Sequence, residues 1–110
     1  MKKLIVGSLA VLVAGAVAAQ AADAKALWEK NCMKCHGKDG TGQTRMGEKL
    51  GLKDYTLPKV QAELKDDKMV KTIKEGVKKD DETRMKPFGD TLSDEEIKSL
   101  VAYMRKFKAK

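Results

Sequence analysis

Cys32-Met33-Lys34-Cys35-His36 gathers both cysteines and the single histidine of the 110-residue chain into five consecutive positions. Thiols and imidazole are the side chains of disulfide chemistry, soft-metal ligation and covalent attachment, and four readings can be separated by spacing. A disulfide closing so short a loop restrains almost nothing in the unfolded chain. A structural zinc site needs four ligands, and the chain has no second cysteine pair; adjacent Cys35 and His36 also converge poorly on one tetrahedral ion. A thioredoxin-like redox pair requires a neighbouring βαβ pattern, and no segment alternates with period two over a strand's length. The remaining reading fits directly. On a helix Cys32 and Cys35 are i and i+3, so both thiols project from one side and each can add to one of two adjacent vinyl groups of a haem. His36, at i+4 from Cys32, carries its imidazole under the ring toward the iron. C-x-x-C-H is the covalent haem-attachment signal: one haem is expected on Cys32 and Cys35, with His36 as an axial ligand.

A haem iron with one histidine has a further position to fill, and the identity of that ligand decides what the site does. No second histidine exists, which leaves the methionines, a lysine, water or nothing. Met33 lies between the cysteines and points away. Met69 and Met104 fall on helical apolar stripes, the setting of gap-filling core methionines. Met46 sits in a glycine-rich loop and is a weak candidate. Met85 lies in the irregular segment Arg84-Met85-Lys86-Pro87-Phe88-Gly89, where Pro87 and Gly89 shape the backbone. A loop methionine far from the histidine and followed by a closing helix can approach the opposite face of the ring. Met85 is therefore the expected second ligand.

Four helical stretches must position these groups. Ala24, Leu27, Trp28 and Cys32 share one face of the first. The second follows Pro58, suited to a first helical turn, and covers Lys59 to Leu64. The third runs from about Asp66 to Glu75, with Met69, Val70, Ile73 and Val77 as its apolar side and Gly76 as its stop. The fourth opens on the capping box Ser93-Asp94-Glu95-Glu96. It continues with the stripe Ile97, Leu100, Val101 and Met104, and Arg105, Lys106 and Lys108 suit the negative end of its dipole. A glycine-punctuated loop from Gly37 through Gly42 to Gly47 and Gly51 joins the first two helices. An irregular segment, Lys78 to Thr91, joins the last two. The predicted class is all-α, and both long loops flank candidate ligands, as segments that wrap or bind something do.

The N-terminus reads as an address. Lys2 and Lys3 precede an apolar run from Leu4 to Ala18, and Ala19-Gln20-Ala21 offers small residues at a cleavage site. The run is shorter than the roughly 20 apolar residues a spanning helix needs. Residues 1–22 are thus expected to be a cleaved signal peptide and residues 23–110 a single exported domain, in the periplasm. Removing 22 of 110 residues leaves 88, and removing Lys2 and Lys3 from 23 basic residues leaves 21 against 16 acidic, a balance of +5. So small a domain is marginal on side chains alone, and a large apolar cofactor would supply much of its core. The modest, mixed charge disfavours nucleic acid and suits an acidic protein surface.

On these residues the chain resembles a class I bacterial cytochrome c, over essentially all of residues 23–110. Cys32, Cys35 and His36 match the family's attachment motif, and Met85 its distal ligand in an M-x-P-F-like setting. Trp28 and Tyr103 match aromatic partners in the first and last helices. The resemblance implies a small cytochrome c fold in which those helices cross near Ala24, Trp28, Leu100 and Tyr103. It also implies that a backbone carbonyl near position 47 accepts the ring N–H of the proximal histidine. The chain departs from the pattern at Ala24, where many members have glycine, and at Glu48, where proline is common. Leu50 and Leu52 are expected along the ring. Tyr55 is read as half-buried, with a haem propionate within its reach as the alternative.

Together these readings predict a monomeric one-electron carrier between redox proteins, its iron closed by His36 and Met85 and cycling between Fe(III) and Fe(II). With no open iron position and no acid–base partner beside it, it is not expected to be an enzyme. Lys34, Lys38, Arg84 and Lys86 are expected around an exposed haem edge, facing an acidic partner. The alternatives are a haem enzyme or gas-binding protein with a displaceable sixth ligand, and a small haem subunit of a dehydrogenase or oxidase complex.

Overall fold

The computed structural model describes residues 23–108, so the expected signal peptide, residues 1–22, lies outside the described residues, as do positions 109 and 110. Helix α1 covers 23–31. After a break at Cys32 (φ −119°), a short α2 spans Met33–His36. The break is slight: Cys32 N still donates to Trp28 O and His36 N to Cys32 O, at 2.8 and 2.9 Å. Helices α3 (Arg45–Leu50), α4 (Pro58–Glu63) and α5 (Asp66–Glu75) follow. A hairpin of β1 (Val77–Lys79) and β2 (Glu82–Met85) comes next, then α6 (Asp94–Met104).

The helical class holds, with two corrections. Residues 45–50 are a helix where a glycine loop was expected. Thr44 caps it by accepting Gly47 N, and Gly51 closes it in the left-handed conformation (φ +66°), where glycine carries no Cβ penalty. Residues 77–85 form a hairpin where an irregular segment was expected. Its turn is Asp80-Asp81, both at positive φ (54° and 65°), the two-residue geometry that matches strand twist and that aspartate tolerates. Val77 therefore starts a strand instead of extending the apolar side of α5, and is 40% exposed. The strands left no period-two trace because β1 is exposed throughout and β2 buries no residue fully.

α5 begins and ends where the stripe and Gly76 placed it. The capping box of α6 is complete: Ser93 Oγ accepts from Glu96 N at 3.1 Å and Glu96 Oε1 accepts from Ser93 N at 2.9 Å. The core joins Trp28 of α1, Met69 and Ile73 of α5, and Ile97, Leu100, Val101 and Met104 of α6, with Phe88 and Leu92 from the connecting segment. Burying such side chains stabilises by roughly 1.5–3 kcal/mol each. α1 meets α6 through aromatic rings: Trp28 lies 6.0 Å from Tyr103 and 4.9 Å from Phe107, centroid to centroid.

Arg105 closes α6 through its backbone N–H, which donates to Val101 O at 3.1 Å, but its side chain leaves the helix end. It folds back to bind Asp66 Oδ1, the carbonyls of Gln61 and Leu64, and Gln61 Oε1. The carbonyl of Met104, at the helix end, accepts from Phe107 N at 3.3 Å and from Gln61 Nε2 at 2.9 Å, and the latter also donates to Tyr55 O. Among the described residues, no helix is long and apolar enough to cross a membrane.

Candidate functional site

A cavity of about 640 Å³ opens between α2, the segment from Leu50 to Tyr55, α5 and the hairpin, and it is lined mostly by apolar atoms. That volume lies within the ~300–1,000 Å³ of small-molecule and cofactor clefts. Cys32, Cys35, His36 and Met85 all line it, although the last is separated by about 50 positions from the others in the chain. Leu50, Leu52 and Tyr55 line it too, as expected. Met69 and Met104 reach it as well while remaining buried in the hydrophobic core, whereas Met33 and Met46 are exposed and away from it.

The attachment side is built on fastened backbone. Thr44 Oγ1 donates to Cys35 O and accepts from Gly47 N, so the cap of α3 is also its joint to α2. Gly42 N donates to His36 O at 2.8 Å, and Trp28 Nε1 to Gly37 O at 3.0 Å. A Cβ on Gly47 would collide with Gly42 O and lie 2.8 Å from Cys35 O. Only glycine permits this approach, which sequence reading missed; the Thr44 cap and the Gly51 stop were its legible signals.

Both cysteines are free thiols. Burial, with Cys35 adding to it, pushes the Cys32 thiol up to about 11. The His36 ring stacks on Tyr55 (5.4 Å, 26°) and lies 5.6 Å from Trp28. Burial lowers the basicity of His36 and so favours neutral imidazole, the form with a lone pair for a metal. Tyr55 is half-buried, as expected, and burial raises the pKa of its phenol. Nδ1 of His36 is buried with no hydrogen-bond partner, as is Nε of Arg84. The carbonyl contact implied by the family resemblance is thus not formed. Among the described residues no three His, Cys, Asp or Glu side chains converge on a metal-sized point.

A haem fits this constellation: two unpaired thiols three positions apart, a buried neutral imidazole with an unused nitrogen, and a half-open apolar cleft. Cys32 and Cys35 would hold it covalently, and His36 would bind its iron.

The comparisons agree with that class of protein. Residues 19–104 match a family described as cytochrome c oxidase, cbb3-type, subunit III. A solved c-type cytochrome, KustC0563, superposes with a TM-score of 0.70 at 36% identity, over 79% of this chain and 99% of its own. A tyrosine-to-phenylalanine variant of the same protein gives 0.68 at 36% identity, over 78% and 99%. No curated protein matches the chain. The chain belongs to this family of c-type cytochrome domains, and its small helical fold is a cytochrome c fold.

Proposed function

We propose that this chain is a periplasmic monohaem cytochrome that carries single electrons between redox protein partners. Cys32 and Cys35 would hold one haem c covalently, and His36 and Met85 would ligate its iron. The observation that carries this reading is the convergence of those four side chains on one apolar cavity. The haem, when bound, supplies one-electron exchange between Fe(III) and Fe(II). His36 offers a neutral imidazole, and Met85 a neutral thioether that favours the reduced state. Met69 and Met104 are held in the hydrophobic stripes of α5 and α6, while Met85 ends an incompletely buried strand. Trp28, Ile73 and Phe88 keep water from the inner wall. The thioether links keep the cofactor after export, and no catalytic step is assigned.

Lys30, Lys34, Lys65, Lys68 and Lys86 line the cavity and are exposed, whereas Glu63 is the one acid among the described lining residues. That imbalance supports docking to an acidic partner by a small, salt-sensitive contact. A second reading, a resident subunit of an oxidase complex, is favoured by the family's description as an oxidase subunit. The exposed lysines around the cavity mouth favour the free carrier instead, since they suit a transient charged contact more than a permanent one. Size measurement and co-purification from the native membrane fraction separate the two.

The test is an optical spectrum of the purified protein, oxidised and reduced, with and without carbon monoxide. A low-spin spectrum with the methionine–iron charge-transfer band, indifferent to carbon monoxide, is expected. Met85→Ala should keep the haem, lose the band and bind carbon monoxide, whereas Met69→Ala should keep the band. Ready carbon monoxide binding by the wild type would replace the carrier with a ligand-binding or catalytic haem.

A further inference from the structure

We propose that Arg84 is an internal anchor for a carboxylate of the haem periphery, a propionate, and not one of the docking cations. The proposal rests on the cavity being the haem site, but not on Met85 being the iron ligand.

The hairpin register carries the first argument. Lys79 faces Glu82 and Lys78 faces Thr83, but Val77 faces Met85, with the register shifting between Val77 and Lys78. One residue of β2, Arg84, therefore has no partner across the hairpin: it is the extra residue of a β-bulge. In a regular strand, neighbouring side chains point to opposite faces, and Arg84 would point away from whatever Met85 faces. A bulge re-aims a side chain, and here Arg84 and Met85 both line the cavity.

The second argument is the state of the guanidinium. Nε of Arg84 is buried and donates to nothing. A buried donor without an acceptor costs about 1–3 kcal/mol, more when charged, a cost that a carboxylate in the cavity would remove. The planar fork of arginine matches a carboxylate bidentately, and charge-assisted bonds of this kind are about twice as strong as neutral ones. The other cations expected around the haem edge behave differently. Lys34, Lys38 and Lys86 are exposed, and Lys86 Nζ lies over the Phe88 ring, 5.2 Å from its centroid. A docked protein can reach those lysines but not a buried Nε. Only a group already inside the cavity can meet Arg84 Nε, and haem carries carboxylates at its rim. The contact would tie β2 to the cofactor beside Met85. It would also hold a positive charge near the ring, which disfavours the extra charge of ferric iron.

The decisive measurement uses the wild-type holoprotein in its diamagnetic reduced state. Nuclear Overhauser cross-peaks are expected between the Arg84 Nε proton and the propionate methylene protons. In Arg84→Met the reduction potential should fall, and by more than in Lys38→Met, which removes the same charge from an exposed site. Arg84→Lys should fall between wild type and Arg84→Met. A haem-loaded wild type without the cross-peaks overturns the proposal, as does Arg84→Met with its methionine band intact and the potential of Lys38→Met. If both Arg84 variants lose that band, the wild-type cross-peaks decide. A wild type that carries haem but lacks the band removes Met85 from the site and leaves the Arg84 expectation standing. A wild type that takes no covalent haem overturns both.

Discussion

Cys32, Cys35 and His36 stand on backbone fastened from several directions, whereas Met85 ends a short hairpin whose strands are largely open to solvent. On the attachment side, side-chain and backbone bonds from Thr44, Gly42 and Trp28 converge on the three residues from Cys35 to Gly37, and Gly47 is wedged against them. On the Met85 side, an isolated two-stranded hairpin is marginally stable by itself, and its base does the holding. Phe88 N donates to Ile73 O at 2.9 Å and Gly89 N to Lys74 O at 3.1 Å, so the chain after Met85 completes the last carbonyls of α5. Gly76, at φ +75°, lets Met85 O and Pro87 N approach where a Cβ would collide. The attachment side is thus tied at several points from Cys35 to Gly37, and the Met85 side chiefly where it meets α5. A covalent bond needs its residues placed once. A thioether that ligates iron, as proposed for Met85, would have to stay in reach throughout, and would depend on that base.

The comparison can be broken or sharpened by four substitutions. Gly47→Ala should have the largest effect, on the order of 3–5 kcal/mol, because two backbone carbonyls would have to move. Denaturation of the holoprotein should show it, with the folded fraction keeping its methionine band. Gly76→Ala should cost less, because the open hairpin can shift to relieve the collision with Met85 O and Pro87 N and leave backbone strain of about 1–3 kcal/mol, yet that shift should act on the spectrum: haem retained, methionine band weakened, carbon monoxide admitted. If Gly47→Ala lost the band and Gly76→Ala kept it, the roles assigned to the two sides would be reversed.

Gln61→Ala should cost about 1–2 kcal/mol, since Tyr55 O, Met104 O and Arg105 all lose a partner. Its readouts are a lower denaturation midpoint and a changed environment for Tyr55. Ser93→Ala should remove about 1 kcal/mol and leave the spectrum as it was; a spectral change would mean that α6 reaches the site more directly than its capping box suggests.

The elements legible in the sequence are those whose signals are local. The helix Asp66–Glu75 and the Ser93–Glu96 capping box were read to the residue because a stripe, a glycine stop and a four-residue box are complete within a few positions. The α3 helix was missed because a six-residue segment with glycine inside it has too few apolar positions to show a period. The hairpin was missed because strands with no fully buried residue carry no alternation. Gln61 and Arg105, 44 positions apart, have no local pattern that could announce their meeting.

By itself the sequence determined the chemistry: C-x-x-C-H with its spacing, a lone histidine, and a methionine outside every helical stripe. Covalent attachment depends on residue type and on separations of one helical turn, which chain geometry sets within a few residues. Only the tertiary structure decided how those groups share one cavity. It decided that Gly47 and Gly76 must lack side chains, and that a bulge turns Arg84 inward while its neighbouring lysines face water. Each of these depends on the close approach of segments distant along the chain, where a collision or an unpaired donor exists only once the fold has brought them together.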